Sequence, residues 1–264
     1  MKDPKKKVKA KKSFGQHFLK DEEVCANIAN ILTGKGYSNL VEIGPGMGVL
    51  TKYLIDRPED LRVVEVDNES VEYLMVNFPK LNGRIIHADF LRLPIDEMFK
   101  DQFAVIGNFP YNISSQILFR IVDFRHLIPE AGGMFQKELA QRVASPPGSK
   151  AYGVISVLIQ AYYDIEYCFT VPPQVFDPPP KVDSGVIYLR RKENYKLPCD
   201  EVLFKRVVKQ AFSQRRKTLS NALKPLLTNP EWKKMDIFKL RAERLSVQDF
   251  IDLTNMFYPD NEVK

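Results

Sequence analysis

Residues 40–48 read L-V-E-I-G-P-G-M-G, an apolar run that ends in three glycines spaced two apart. The apolar part is typical of a buried strand, and Leu50, Tyr53 and Leu54 behind it have the spacing of a helix. Glycine at a strand-to-helix turn permits backbone angles and a close ligand approach that a Cβ would block. A dinucleotide fingerprint would carry its third glycine at position 49, which is Val49, so the pattern argues against NAD.

Three further strand patterns follow, and each leads to a polar side chain. The first ends at Glu65, about 20 residues after Gly44, from where a carboxylate can accept from both hydroxyls of a ribose. The second leads to Asp89, which can accept from an adenine amine, and the third leads to Asn108. Singly, each acid is more often a helix cap or a solvated charge. The ordered set resembles that of class I S-adenosylmethionine-dependent methyltransferases, which implies that cofactor and a Rossmann-like α/β sheet with all four residues at one edge.

The tetrapeptide Asn108-Phe109-Pro110-Tyr111 suits the methylation of an exocyclic amine on a flat base. Such a nitrogen is a poor nucleophile until hydrogen-bond acceptors pull it toward tetrahedral geometry. The Asn108 side chain and the Pro110 carbonyl can each accept one amine hydrogen, and Tyr111 offers a ring face for the base. The alternative is an ordinary Asx-type turn before a helix that Ser114 opens, with Tyr111 as a core residue.

Composition limits the classes of function. The 264 residues, 44% of them hydrophobic, are enough for one large domain or a large and a small one. The apolar runs are far shorter than the ~20 residues that span a bilayer, and no apolar stretch follows the lysine-rich N-terminus, so we expect neither membrane contact nor secretion. The three histidines and three cysteines are scattered, so we expect no metal, free thiols and a cytoplasmic location. The net charge of +6 favours a polyanion partner.

We divide the chain into three parts: residues 1–12 as a flexible basic tail, 13–192 as the Rossmann-like catalytic domain, and 193–264 as a small helical RNA-binding domain. In the last part, residues 212–223 have a helical pattern with a basic face. We expect the side chains of Arg215, Arg216 and Lys217 to point toward RNA phosphates. The alternative for this face is a solvated surface without a partner.

A proline-rich loop, V-P-P-Q-V-F-D-P-P-P-K-V-D-S, spans residues 171–184 between two strand patterns. Prolines stiffen a loop, so a side chain carried on it is held in a fixed direction. We predict that Phe176 is a second ring that holds a base against Tyr111. The alternative is a rigid connector with Phe176 packed inward.

Taken together, these motifs resemble the KsgA family of small-subunit ribosomal RNA adenine dimethyltransferases, from Phe14 to about Leu253. They are F-G-Q-H-F-L (14–19), V-E-I-G-P-G-M-G (41–48), N-F-P-Y (108–111), S-K-A-Y-G (149–153), the proline loop, and R-R-K-T-L (215–219). The proline loop together with the last motif is specific, since few other methyltransferases carry both.

The resemblance implies transfer of methyl groups from S-adenosylmethionine to N6 of two adjacent adenosines near the 3′ end of 16S rRNA. Each of these two bases, which lie in a hairpin loop, receives two methyl groups during small-subunit biogenesis. The partner is then 16S rRNA in the 30S subunit or its precursor, and we expect a monomer. The family's cofactor positions fall on His17, Leu19, Gly44, Glu65, Asp89 and Asn108. Many members have Asn where this chain has His17, so the polar contact from that position is open.

Three alternatives share parts of this pattern. An Erm-type 23S rRNA methyltransferase has the same fold and catalytic motif, but we do not expect it to carry the full proline loop. A DNA adenine methyltransferase uses a similar tetrapeptide, but usually brings a target-recognition domain. A ribosome-assembly factor that acts mainly by binding would not need the set of Gly44, Glu65, Asp89 and Asn108.

Overall fold

The computed structural model of the chain describes Val8, Lys11 and residues 16–261, the side chains of 259–261 excepted. The predicted basic tail, residues 1–12, therefore lies outside the described residues apart from Val8 and Lys11. The chain divides into two compact units. The first comprises the residues up to Ala140 together with Asp164–Arg191, and the second comprises Gln141–Tyr163 and the residues from Lys192 onward.

The strands of the described residues, numbered in chain order, are β1 (Phe18–Leu19), β2 (Asn39–Ile43), β3 (Asp60–Glu65), β4 (Ile85–His87), β5 (Phe103–Asn108), β6 (Glu130–Gln136), β7 (Tyr163–Val171), β8 (Phe176–Asp177) and β9 (Ser184–Arg191). Seven of them form one sheet in the order β4-β3-β2-β5-β6-β9-β7. From β4 to β6 neighbouring strands are parallel, and β9 is antiparallel to β6.

The parallel strands are rich in buried apolar residues, as expected for a sheet that helices cover on both faces. In β5, for example, the five residues from Phe103 to Gly107 are all buried. Because β2 to β5 run in the same direction, their carboxyl ends lie at one edge of the sheet. This confirms the predicted Rossmann-like α/β fold.

The helices that begin in the first unit are α1 (Glu22–Ala29), α2 (Thr51–Leu54), α3 (Asn68–Asn77), α4 (Ile95–Met98), α5 (Ser114–Asp123) and α6 (Lys137–Ala144). Short 3-10 turns occupy Pro79–Leu81, Phe90–Arg92 and Pro173–Val175. Asp21 caps α1, since its carboxylate accepts from the Val24 N–H at 3.0 Å. α5 begins at Ser114, and it buries Ile117, Leu118, Ile121 and Val122 on one face.

Outside the large sheet, β1 and β8 form a two-stranded antiparallel sheet. Leu19 pairs with Phe176 and Phe18 pairs with Asp177. The Lys20 N–H extends this contact by donating to the Val175 carbonyl at 2.8 Å. The small sheet therefore fixes the proline-rich loop to the segment that precedes α1.

The second unit is helical, as predicted for the C-terminal part. It contains α7 (Val154–Gln160), α8 (Glu201–Ser213), α9 (Leu219–Ala222) and α10 (Val247–Asn261), with 3-10 turns at Lys224–Leu226, Pro230–Lys234, Asp236–Lys239 and Ala242–Arg244. α8 contacts α7, α9 and α10, and buried aromatic side chains fill the interior, among them Phe204, Phe238 and Phe250. No helix of the described residues is long and apolar enough to cross a bilayer.

Two boundaries differ from the sequence-based expectations. The end of the catalytic part, expected at residue 192, lies at Arg191, but Gln141–Tyr163 belongs to the second unit, where α7 packs on α8. The partner of α7 is about 40 residues further along the chain, and the local pattern does not show it. The predicted helix at 212–223 is also interrupted, because residues 214–217 form a turn and the extended backbone of Thr218 starts α9.

Candidate active site

A cavity lies at the carboxyl ends of β2 to β5. It brings together eight of the residues that the sequence predicts for one site: His17, Leu19, Gly44, Glu65, Asp89, Asn108, Pro110 and Tyr111. Residues 44, 65, 89 and 108 follow or end four neighbouring strands, so they form a row along the sheet edge. Gln16 to Leu19, the segment around β1, add another wall.

The glycine turn after β2 has a conformation that other residues rarely adopt. Gly46 and Gly48 have φ angles of 55° and 76°, in the left-handed region. A Cβ on Gly48 would lie 2.3 Å from the ring of Phe78, and one on Gly46 would lie 2.9 Å from the ring of Phe18. The turn therefore requires glycine for its backbone angles and for the rings that pack against it.

Glu65, the predicted ribose ligand, is a buried carboxylate held by backbone N–H groups. Its Oε2 accepts from Gly46 at 3.0 Å, and its Oε1 accepts from Val66 at 2.8 Å and from Asp67 at 2.9 Å. Burial raises the pKa of Glu65, and these three hydrogen bonds lower it, with a net rise. A carboxylate has about four acceptor positions, so Glu65 keeps one for a ligand in this conformation rather than the two expected.

Asp89 follows β4 and starts the 3-10 turn at Phe90–Arg92. Its Oδ1 accepts from the Leu91 N–H at 2.9 Å. Arg92 Nε lies 3.6 Å from Oδ2, which is beyond hydrogen-bond distance. Oδ2 can therefore accept from a ligand amine, as the sequence predicts.

Asn108 is the last residue of β5, and its side chain is half-buried. Its Nδ2 donates to the His17 carbonyl at 3.1 Å, and its Oδ1 accepts from no described residue. The Pro110 carbonyl, the second predicted acceptor, already accepts from Ser114 Oγ at 2.8 Å and the Ile113 N–H at 3.3 Å. The prediction that this carbonyl is free for an amine is therefore wrong, because it closes the first turn of α5. The Phe109 carbonyl beside it accepts from none of the described residues.

The two predicted stacking rings have different surroundings. Tyr111 lines the cavity, where its ring stacks on that of His17 with centroids 5.5 Å apart and its hydroxyl bonds Ser184 Oγ at 2.5 Å. Burial raises the pKa of Tyr111. Phe176 is 1% exposed and packs in the core of the first unit with Leu19 and Val186. The structure contradicts the prediction that Phe176 faces a base, because pairing of β8 with β1 turns this ring inward.

Sequence reasoning missed Glu42, a second carboxyl in the wall of the cavity. It is 1% exposed in β2, and its Oε2 accepts from the Thr51 hydroxyl at 2.7 Å. Burial raises the pKa of Glu42 to about 8, with a smaller contribution from Glu65. An acid inside an otherwise apolar strand, two residues before Gly44, is the signal that could have found it. No local signal marks Ser184, the partner of Tyr111.

The predicted RNA-binding residues of the second unit lie in the turn between α8 and α9, and all three are exposed. Arg215 contacts protein groups: it donates to Glu243 Oε2 at 3.2 Å, to the Tyr152 carbonyl at 3.2 Å and to the Lys150 carbonyl. The side chains of Arg216 and Lys217 make no hydrogen bond or ion pair with a described residue. Arg215 thus holds the S-K-A-Y-G segment, while Arg216 and Lys217 remain available to a ligand.

Comparison with known proteins agrees with this geometry. The family model described as ribosomal RNA adenine dimethylase matches residues 7–258. The chain belongs to this family. The ribosomal RNA small subunit methyltransferase A of Flavobacterium johnsoniae is 59% identical over 96% of this chain and 98% of its own. The same enzyme of Cytophaga hutchinsonii is 55% identical over 95% of this chain and 98% of its own.

Solved structures show the same fold at lower identity. A dimethyladenosine transferase from Plasmodium falciparum has a TM-score of 0.76 at 23% identity, covering 92% of this chain and 98% of that one. The 23S rRNA methyltransferase ErmE has a TM-score of 0.69 at 23% identity, covering 90% of this chain and 99% of that one.

Membership of the ribosomal RNA adenine dimethylase family confirms several predictions. They are the KsgA-type resemblance, the Rossmann-like methyltransferase fold, the enzyme class and ribosomal RNA as the partner. Among the described residues, no three His, Cys, Asp or Glu side chains are grouped so that they could hold a metal ion.

Proposed function

We propose that this chain transfers methyl groups to N6 of two adjacent adenosines in the hairpin loop near the 3′ end of 16S rRNA. Each base receives two methyl groups from S-adenosylmethionine, in the 30S subunit or its precursor. The observation that carries the proposal is Asn108 Oδ1, which accepts from no described residue, in the cavity that Gly44, Glu65 and Asp89 also line. The proposed enzyme is a cytoplasmic monomer that acts in small-subunit biogenesis.

The residues of the cavity fit the proposed cofactor. Glu65 keeps one acceptor position for a ribose hydroxyl, and Asp89 Oδ2 can accept from an adenine amine. Val66, 46% exposed and in the cavity wall, offers an apolar surface to a flat ring. Glu42 places a carboxyl in the same wall, and in its ionised form this group suits a cation such as an ammonium. When bound, S-adenosylmethionine supplies an electrophilic methyl group on its sulfonium.

The residues at and after the end of β5 then prepare the target nitrogen. Asn108 Oδ1 accepts one amine hydrogen, and a backbone carbonyl of the tetrapeptide accepts the other. The Phe109 carbonyl is better suited than that of Pro110, which two donors already occupy. These two acceptors localise the lone pair on the nitrogen, and the Tyr111 ring supports the base. No strong base is needed, because the proton leaves after the nitrogen has become cationic.

The choice of the small subunit rests on the relatives. Those that are 55–59% identical over nearly the whole chain are small-subunit methyltransferases, whereas ErmE shares the fold at 23% identity. A hairpin loop also suits this chemistry, since turning out an unpaired base costs less than opening a duplex.

The test is methyl transfer from labelled S-adenosylmethionine to small subunits that lack the 3′-end modification, with large subunits alongside and nucleoside analysis of the product. We expect N6,N6-dimethyladenosine in the small subunit alone. Asn108→Ala should lose turnover and keep RNA binding, while Asn82→Ala, an exposed asparagine outside the cavity, should behave as wild type. Label in the large subunit, or normal methylation by Asn108→Ala, would contradict the proposal.

A further inference from the structure

His17 lies where three separate segments of the first unit meet. Its backbone leads into β1, which pairs with β8 of the proline-rich loop. Its main-chain carbonyl accepts from Asn108 Nδ2 at 3.1 Å, its ring Nδ1 is 2.8 Å from the Pro178 carbonyl, and its ring stacks on Tyr111. These three contacts span 91, 161 and 94 positions of the chain. The residue is thus in direct contact with Asn108 and Tyr111, two of the residues that the proposed reaction uses.

The contact with Asn108 decides which half of its amide is presented to a ligand. An asparagine side chain has a donor half and an acceptor half, and rotation of the amide exchanges them. A backbone carbonyl only accepts, so the His17 carbonyl can bind only the NH₂ half. This leaves Oδ1 for a ligand, as the amine of an adenine requires. The opposite orientation would place Asn108 Oδ1 against the His17 carbonyl, two acceptors. It would also present the amide NH₂ of Asn108 to the NH₂ of the adenine.

The imidazole ring of His17 holds the ring of Tyr111. Since the Pro178 carbonyl also only accepts, Nδ1 of His17 must carry the hydrogen of that bond. The ring is then fixed at one edge by the proline-rich loop, and it stacks on Tyr111 with an angle of 28° between the planes. Tyr111 is itself fixed at its other end by Ser184. Neither ring can turn without breaking one of these contacts.

We propose that His17 is a positioning residue for methyl transfer. Its carbonyl sets the amide orientation of Asn108, and its ring sets the plane of Tyr111. The proline-rich loop, through Pro178 and β8, holds His17 in place for both tasks. This inference rests on the proposed function of Asn108 and Tyr111. It differs from a cofactor-binding role of His17, which the family resemblance implies.

The ring contacts can be separated by substitution, although the carbonyl cannot be removed. His17→Ala loses both ring contacts and frees the backbone of residue 17. His17→Phe keeps a ring on Tyr111 but has no N–H for Pro178, and His17→Asn keeps a side-chain donor but no ring. His87→Ala is the matched control, because His87 is exposed at the end of β4 and does not line the cavity.

Two measurements test the positioning role. In steady-state methylation, we expect His17→Ala to lower kcat by about 10- to 100-fold, because a misplacement of about 1 Å has effects of that size. The dissociation constant of S-adenosylmethionine, measured by calorimetry, should stay within about threefold of wild type, because a positioning residue acts on Asn108 and Tyr111 and not on the cofactor. His17→Phe and His17→Asn should each recover part of the lost kcat, and His87→Ala should match wild type.

The second measurement does not depend on turnover. In protein labelled with ¹⁵N-asparagine, the side-chain NH₂ signal of Asn108 is assigned by its loss in Asn108→Ala. Hydrogen exchange of this NH₂ should be slow in wild type and His87→Ala, and faster in His17→Ala.

Unchanged kcat and exchange in His17→Ala would overturn the inference, and so would a loss of cofactor affinity as large as the loss of kcat. If wild type itself methylates no small subunits, the proposed function fails. In that case the exchange measurement still decides whether His17 orients Asn108.

Discussion

The two sides of the cavity differ in how their residues are held. On the cofactor side, which comprises residues 44–48, Glu65 and Asp89, the hydrogen bonds are local. Glu65 accepts from backbone N–H groups that are 1, 2 and 19 positions away, and Asp89 accepts from one that is 2 positions away. Because Asp89 follows β4, this side is built from β2, β3, β4 and the turns that follow them.

The base side, which comprises His17 and residues 108–111, is held by contacts between distant segments. Asn108 has its hydrogen-bond partner 91 positions away, at the His17 carbonyl. The partner of the His17 ring is 161 positions away, and that of the Tyr111 hydroxyl is 73 positions away. The base side is complete only when β1, the proline-rich loop and the end of β5 have come together. We infer that substitutions on the cofactor side act through local backbone geometry, and those on the base side through packing between segments.

The largest expected effect concerns Phe176, whose ring fixes the proline-rich loop to the core. Phe176→Ala should lower the free energy of unfolding by about 3–5 kcal/mol, as for other buried Phe→Ala changes. Phe176→Leu should cost about 1 kcal/mol and should leave methylation close to wild type. Urea unfolding and a methylation assay on the same samples check both expectations. A stable Phe176→Leu variant with a large loss of kcat would instead show that the ring acts on the base.

The next effect concerns the glycine turn of the cofactor side. Gly48→Ala should lower the free energy of unfolding by about 3 kcal/mol, because it combines a positive φ with a clash against Phe78. Gly36→Ala is the matched control: its φ is +83°, but a Cβ there would meet nothing within 4 Å. It should cost only the backbone strain, about 1 kcal/mol. Equal losses in the two variants would mean that packing of Phe78 contributes nothing to the turn.

A smaller effect is the dependence of stability on pH through Glu42. Its pKa in the folded state is about 8, against an ordinary value of 4.5, so the folded protein holds this proton more tightly than the unfolded chain. Glu42 therefore lowers stability progressively as pH rises from about 4.5 to about 8, and the loss levels off above that range. In Glu42→Gln this contribution is absent. Between pH 6 and 8 the variant should lose about 2 kcal/mol less than wild type in urea unfolding, and parallel curves would contradict the burial argument.

The smallest effects separate two neighbouring arginines in the second unit. Arg216→Ala should leave stability unchanged and lower the slope of log Kd against log salt for RNA by about 1, as for the loss of one phosphate contact. Arg215→Ala should lower the free energy of unfolding by about 1 kcal/mol, because it removes the bonds to Glu243, Lys150 and Tyr152. The reverse pattern would show that Arg215 contacts the RNA and Arg216 does not.

The sequence predicted that residues 44, 65 and 89 share one edge of the sheet, because each of them is marked by its position at the end of a strand. Gly44, Glu65 and Asp89 each follow an apolar run, and the sheet order brings them together as expected. The start of α5 at Ser114, which follows the tetrapeptide at the end of β5, is also a local feature.

Three of the errors fall where distant segments decide the structure. The inward position of Phe176 depends on pairing between β1 and β8, and the placement of α7 in the second unit depends on α8. The protein contacts of Arg215 depend on Glu243 and on the segment around Tyr152, neither of which its own turn reveals. The number of free acceptor positions on Glu65 and on the Pro110 carbonyl depends on the folded backbone around each group, which the sequence pattern does not show.

The most direct test of this account is a crystal structure of the protein with S-adenosylhomocysteine and an adenosine-containing RNA hairpin loop. We expect the adenosine part of the cofactor at Glu65 and Asp89, and the target base against Tyr111. The N6 atom of that base should lie about 3 Å from Asn108 Oδ1, within the reach of a hydrogen bond. A base whose N6 points away from Asn108, or a cofactor bound outside the row of strand ends, would contradict the account.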